Sequence, residues 1–228
     1  MTAPGCFVSG SDTGAGKTVV GCAIARALRA RGVDVGVLKP IETGVGEAGP
    51  LDAIALREAA GSRETIDAIC PQQFALAAAP TAAAAHEGRA VDLGAIDRAF
   101  AGCAERHDFV LVEGAGGLLV PVAPGVAMAD LAARFELPLI IAARAALGTI
   151  NHTLLTLEAA TSRGLDVLGV VISHVDGALS VADAANLDLL RDALGDRLIG
   201  EIPPLASASD VPADAIEIDR VRARIGPR

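Results

Sequence analysis

The segment that most restricts what this chain can fold into is Gly10-Ser-Asp-Thr-Gly-Ala-Gly16-Lys17-Thr18. It follows a short apolar run, Cys6-Phe7-Val8. It precedes Thr18–Arg31, where apolar residues recur at helical spacing, Arg26, Arg29 and Arg31 gather near the end, and Gly32 supplies a stop. A strand, a glycine-rich loop and a helix in that order bring consecutive backbone N–H groups to one point, and the start of the helix favours negative charge there. Such a loop cradles phosphate oxygens. Lys17 can reach the β- and γ-phosphates of a nucleotide, and the Thr18 hydroxyl can ligate Mg²⁺. The first glycine is separated from Gly16-Lys17-Thr18 by five residues, where four are usual. A glycine turn with an incidental lysine is the competing reading, but the strand before it and the helix after it favour nucleoside triphosphate binding.

The rest of the chain alternates strand and helix. Val33–Leu38 reads as a strand ended by Pro40, and the glycine-rich 43–50 stretch leads to a helix beginning near Asp52. Asp92–Glu105, Ile150–Arg163 and Val181–Leu194 read as helices, and the last stretch, 214–228, has room for a small one. Phe109–Val112, Leu139–Ala143, Val167–Ile172 and Leu198–Ile202 are apolar runs of strand length, expected to be buried on both faces as in a parallel sheet. The pattern implies an α/β protein: a single P-loop NTPase-type domain over 1–228, with a mostly parallel central sheet and helices on both faces. Ala77–Ala85 is low in complexity and reads as helix or packed loop.

Composition sets the boundaries. The chain has 228 residues, 52% of them hydrophobic and 21% charged, which excludes intrinsic disorder. Mean hydropathy is +0.47, yet the longest apolar runs, such as Leu137–Ala143, are far short of the ~20 residues that span a bilayer. No secretory leader is visible at the N-terminus, so a cytoplasmic protein without membrane attachment is expected. A net charge of −9 and a pI near 4.9 argue against nucleic acid as a partner, because phosphate backbones need a basic footprint. Cys6, Cys22, Cys70 and Cys103 have no metal-ligand spacing and read as free buried thiols.

Three further motifs carry chemistry. Glu113 opens Glu113-Gly-Ala-Gly-Gly117 at the end of an apolar strand, where α/β sheets bind ligands. Lys39, in Lys39-Pro-Ile-Glu-Thr43-Gly44, ends the second strand and points to the same edge, in a chain that prefers Arg to Lys. Asp52 follows that loop and is equally suited to ligating Mg²⁺ or to capping its own helix. Leu147-Gly-Thr-Ile-Asn151-His152 opens a helix, so free N–H groups of Thr149, Ile150 and Asn151 are expected to form an anion site suited to a carboxylate. Gly44-Val-Gly-Glu-Ala-Gly49 fits a dinucleotide fingerprint in letters only, since Pro50 follows it and it lies in the second strand-to-helix connection.

Taken together and in order, the P-loop with five intervening residues, LKPIETG, the Asp52-Ala helix start, LVEGAGGLLVPV, LGTINHTLLTLEA and GEIPPL resemble the dethiobiotin synthetase family, from Phe7 to about Leu205. The resemblance implies an ATP-dependent ligase of biotin synthesis. It would carboxylate 7,8-diaminopelargonic acid with CO₂ (or bicarbonate as its source) and close the ring to dethiobiotin, releasing ADP and phosphate, through a carbamate and a carbamic-phosphoric anhydride. It also implies a homodimer, Mg²⁺ as cofactor and ATP as co-substrate. By the same resemblance Thr13, Lys17 and Lys39 are the catalytic positions. Gly14, Ala15, Gly16, Lys17, Thr18 and Val19 hold the phosphates, and Thr18, Asp52 and Glu113 hold the metal. Lys39 and Thr43 face the carbamate end, Gly116 and Gly117 pass the diamine, and Thr149, Ile150 and Asn151 receive the substrate carboxylate from the neighbouring subunit.

The sequence departs from the family pattern at three places. Gly14 stands where well-known members have Glu. His174 stands where some have an Asn that reads adenine, while Pro203, Pro204 and Leu205 match the wall of the base pocket. Ala77–Pro80 replaces a more polar loop with alanines, so contacts there come from backbone. A partner-regulated switch ATPase of the same fold is the alternative. That class carries a lysine where this chain has Asp12.

Overall fold

The computed structural model describes residues 4–175, 179–205, 211–212 and 214–223. The strands are β1 (Gly5–Gly10), β2 (Val35–Leu38), β3 (Ile41–Thr43), β4 (Gln72–Phe74), β5 (Phe109–Gly117), β6 (Pro121–Ala123), β7 (Val126–Ala127), β8 (Leu139–Arg144), β9 (Val167–Ser173) and β10 (Leu198–Ile202). The helices are α1 (Lys17–Ala30), α2 (Leu51–Ala60), α3 (Ile66–Ile69), α4 (Pro80–His86), α5 (Leu93–Arg106), α6 (Met128–Arg134), α7 (Thr149–Ser162), α8 (Val181–Leu194) and α9 (Ile218–Arg222).

Six strands form the main sheet in the order β10-β9-β8-β1-β5-β2, and its neighbouring strands pair in parallel. Alternation along each strand sends side chains to two faces. Cys6, Val8, Leu111 and Ile140 pack with α1, α2 and α9 on one face. Phe7, Val110 and Val112 pack with α5 and α6 on the other, where Ile141 and Ile172 continue towards α7 and α8. β1 is completely buried because it is central and covered on both sides, which is why its apolar run carries no polar alternation. The chain runs from β1 outward through β2 and β5, then crosses to β8 on the other side. The loop after β1 therefore lies at the point where the strand order reverses, the usual place for a ligand in an open α/β sheet.

The apolar runs expected to be strands and the longer helical stretches lie where the sequence placed them. The last stretch holds only α9, and residues 224–228 of it lie outside the described set. β5 runs on through the glycines as far as Gly117, so Glu113 lies inside a strand and is not an exposed acid before a turn. The pairs β3–β4 and β6–β7 are small two-stranded additions beside the main sheet.

Candidate functional site

The loop between β1 and α1 is shaped by glycine. Gly16 precedes α1 with φ 84°. A Cβ there would lie 2.4 Å from Ser173 Oγ at the end of β9, so the position needs both the left-handed conformation and the absence of a side chain. The first helical bond runs from Val20 N–H to Gly16 O at 2.9 Å. The N–H groups of Lys17, Thr18 and Val19 precede it and belong to the helix start. Lys17 is buried, and its Nζ lies 3.2 Å from where a Gly10 Cβ would stand. Burial, then repulsion from Lys39, lowers its pKa.

Lys39 comes from the far end of β2. Its Nζ donates to Asp52 Oδ2 at 2.6 Å and to Glu113 Oε1 at 2.6 Å. Thr18 Oγ1 donates to the same Glu113 oxygen at 2.9 Å. Lys39 is 2% exposed and Glu113 completely buried. Burial works against the charge on Lys39, but Glu113 and Asp52 together outweigh it and hold the ammonium above its ordinary pKa. Burial pushes the Glu113 carboxyl up against the pull of Lys39, and its Oε2 is buried without a hydrogen-bond partner. Asp52 is held low: burial raises it, and Lys39 more than compensates. The chain contains only two lysines, and this cleft uses both.

Asp52 does not cap its helix. It lies in the first turn of α2, whose cap residue, Pro50, offers no side-chain bond. Glu42, from β3, accepts the N–H of Asp52 on Oε1 and that of Ala53 on Oε2, each at 3.0 Å. Glu42 was not singled out from the sequence. Its only signal there is a carboxylate between Ile41 and Thr43, in the stretch that follows Lys39.

Thr13, Gly14, Gly16, Lys17, Thr18, Val19, Lys39, Thr43, Asp52 and Gly116 line one cleft of about 370 Å³, joined by Glu42, Ala115 and Val175. Ala15 is fully buried. Gly117 lines a neighbouring groove of about 400 Å³ with Asp12, Thr13, Leu119 and the α7 residues His152, Leu155 and Thr156. Thr149, Ile150 and Asn151 line a separate depression with Leu147, Leu154 and Glu158, so within one chain they do not meet the loop cleft. The expectation of three free N–H groups there is corrected. Thr149 N–H donates to Ala146 O at 3.1 Å, and the first helical bond is His152 N–H to Gly148 O, which leaves Ile150 and Asn151.

His174, Pro203 and Leu205 follow the adjacent ends of β9 and β10, where His174 N–H donates to Ile202 O. The His174 ring is held by Glu201 Oε1 at 2.6 Å. None of the three lines the loop cleft; Val175, the residue after His174, does. Leu76, just before the alanine segment, accepts the N–H of Gly44, the residue after Thr43, at 3.2 Å.

The oxygen donors Thr18 Oγ1, Asp52 and Glu113 are of the kind that suits a hard cation such as Mg²⁺, although Glu113 is buried behind the cleft wall and its unpartnered Oε2 lies against Gly21 of α1, beside Leu56 and Leu111. That ion takes one or two carboxylates and completes its shell with substrate phosphates and water. Among the described residues no cluster of three or more His, Cys, Asp or Glu side chains is placed to hold a metal by itself.

A parallel sheet with a glycine loop after its central strand, and lysine and threonine heading the next helix, defines a P-loop nucleotide-binding protein. A family profile described as "AAA domain" matches residues 5–211. Proteins named "ATP-dependent dethiobiotin synthetase BioD" are similar to the chain along most of its length. That of Anaeromyxobacter dehalogenans (strain 2CP-C) is 52% identical over 170 residues, 75% of this chain and 76% of the relative. That of Bacillus licheniformis is 37% identical over 206 residues, covering 90% and 88%. That of Aquifex aeolicus is 38% identical over 189 residues, covering 83% and 84%. The chain belongs to the dethiobiotin synthetase family. Among solved structures, the MinC:MinD cell division protein complex of Aquifex aeolicus superposes with a TM-score of 0.57 at 14% identity, covering 99% of this chain and 97% of the other. At that identity the likeness shows the fold alone.

Proposed function

We propose that the chain is an ATP-dependent cyclo-ligase that converts 7,8-diaminopelargonic acid, CO₂ and ATP to dethiobiotin, ADP and phosphate. The observation that carries the reading is Lys39, a buried lysine from outside the P-loop, held by two carboxylates in the cleft beside Lys17. A switch ATPase needs no second lysine of this kind, and its signature lysine is replaced here by Asp12.

One substrate amine adds to CO₂, loses a proton and becomes a carbamate. A carbamate oxygen then attacks the γ-phosphorus of ATP, and ADP leaves. The second amine attacks the carbon of the resulting carbamic-phosphoric anhydride, the ureido ring closes, and phosphate and a proton depart. Negative charge builds on oxygen at each stage, and stabilising it is the main work of phosphoryl transfer. Lys17 and the N–H groups at the start of α1 face the phosphates, with Gly14, Ala15, Gly16 and Val19 shaping the loop. Lys39 and Thr43 face the carbamate, and Thr13 stands where the loop cleft meets the groove at Gly117. Thr18, Asp52 and Glu113 would hold Mg²⁺, which neutralises phosphate charge when bound. No side chain is required as a nucleophile.

The reading extends to the assembly. The diamine would run past Gly116 and Gly117, and its carboxylate would meet Thr149, Ile150 and Asn151 of a second copy. His174, Pro203 and Leu205 would border the base. The protein is proposed to work as a homodimeric single domain in the cytoplasm, without membrane or nucleic-acid partners. Four free buried cysteines support a reducing compartment. No helix among the described residues is long and apolar enough to cross a membrane. The test is phosphate release from MgATP with and without the diamine and bicarbonate, with the product identified by mass. Release that depends on the diamine, with a product carrying one carbonyl more and two hydrogens fewer, is expected. Diamine-independent hydrolysis overturns the reading in favour of the switch ATPase.

A further inference from the structure

Helix α2 begins in a way that its own sequence does not support. Pro50 precedes it and supplies no side-chain acceptor, and the N–H groups of its second and third residues, Asp52 and Ala53, lie in a partly buried and a buried setting. An orphan N–H in such a place must find an acceptor or the first turn opens. Both acceptors come from Glu42 on β3, one oxygen for each N–H at 3.0 Å. The arrangement does more than end a helix. Asp52 has a short side chain with two torsions, so where its carboxylate reaches is set by where its backbone lies. Pinning that backbone puts Oδ2 2.6 Å from Lys39 Nζ. The same strand carries Thr43 into the cleft. One carboxylate thus ties the strand bearing Thr43 to the helix bearing Asp52.

We infer that Glu42 is a positioning residue for the reaction: it fixes the first turn of α2 so that the Asp52 carboxylate meets Lys39 and the metal edge of the cleft. The inference rests on the proposed role of Asp52 as a metal ligand. Its test separates the two. In Glu42→Ala neither N–H keeps its acceptor. In Glu42→Gln one oxygen remains and an NH₂ group replaces the other. Two readouts apply. One is the Mg²⁺ concentration that half-saturates binding of a fluorescent ADP analogue. The other is the rate at which acetic anhydride modifies Lys39 in metal-free protein, followed by mass spectrometry and legible because the only other lysine is Lys17.

Removing a group that orients a ligand weakens metal binding roughly tenfold or more. Glu42→Ala is therefore expected to raise half-saturating Mg²⁺ about tenfold and to speed Lys39 acetylation several-fold, with Glu42→Gln between it and the parent. A merely structural role would lower the yield of folded protein and leave both readouts in place. Folded variants with unchanged Mg²⁺ titration and unchanged Lys39 protection overturn the inference. If Glu42→Ala does not fold, Glu42→Gln decides by the same criteria. If the parent chain makes no dethiobiotin, the functional reading fails, while Lys39 protection still tests the link from Glu42 through Asp52.

Discussion

Two carboxylates depend on the ammonium of Lys39, and that dependence is testable. Lys39→Ala leaves Glu113 buried beside Asp52 without the cation between them. Breaking a buried pair from one side costs about 3 to 5 kcal/mol, so the urea midpoint should fall clearly. Nucleotide binding should persist, because the P-loop is untouched, while dethiobiotin formation is lost. Normal turnover in this variant would remove Lys39 from the mechanism. The glycines of the loop separate two effects that sequence alone conflates. Gly16→Ala meets both a positive φ and Ser173 Oγ at 2.4 Å. It should cost ~2 kcal/mol or more in denaturant titration and abolish nucleotide affinity. Gly14 has φ 73° but nothing within 4 Å of a Cβ. Gly14→Ala should cost about 1 kcal/mol from conformation alone and still bind nucleotide. Equal losses in the two variants would contradict the assigned steric clash.

At the scale of elements, the ends of β9 and β10 are tied to α8 by one acid. Arg191 of α8 donates to Glu201 Oε2 at 2.9 Å and to Oε1 at 2.6 Å, and His174 meets Oε1. Arg191, then His174, holds the Glu201 carboxyl below its usual range against partial burial. A depressed acid contributes stability above its unfolded pKa, about 4.3, and that contribution disappears as pH falls through the lower folded value. The gap in urea midpoint between the parent and Glu201→Gln should therefore be widest near neutrality and close below about pH 4. A gap that stays constant with pH would argue against the ion pair. The sequence made the principal strands and helices legible because their apolar periods are local. It hid β3 and β4, since the pairing of Ile41 with Gln72 joins distant segments and Gln72 carries no strand pattern. It ended β5 at Val112, where the apolar run stops, whereas the strand continues through a bulge, with the β1 register shifting between Val8↔Glu113 and Gly10↔Gly117 and Gly116 at φ 65°. In the site, Lys17 and Thr18 follow from spacing within one loop. Strand ends put Lys39 and Glu113 at one sheet edge, but the contact of both with Asp52 depends on tertiary packing, and only the family resemblance settled Asp52 as part of the site. Nothing local marks Glu42, because its partners are N–H groups, which no letter in the sequence distinguishes.

At the scale of the molecule, the start of α7 and the turn before it leave Leu147 82%, Leu154 40% and Leu155 54% exposed. These leucines sit beside Thr149, Ile150 and Asn151, the residues proposed to serve a neighbouring subunit. An exposed apolar cluster at such a place fits a subunit contact. Replacing Leu147 and Leu154 by Glu should give monomers in analytical ultracentrifugation and raise the diamine KM. An unaltered sedimentation coefficient would reject this face. The burial of both lysines has a consequence for how the whole chain resists digestion. A lysine-specific endoprotease finds only Lys17 and Lys39 to recognise, and Pro40 blocks the bond after the second. Its one usable cut, between Lys17 and Thr18, falls at the first turn of α1. Cleavage of the native protein needs that turn to open, so with enough protease for cutting to outpace reclosing the rate of a single nick, slowed by added nucleotide, would clock the breathing of the phosphate loop itself.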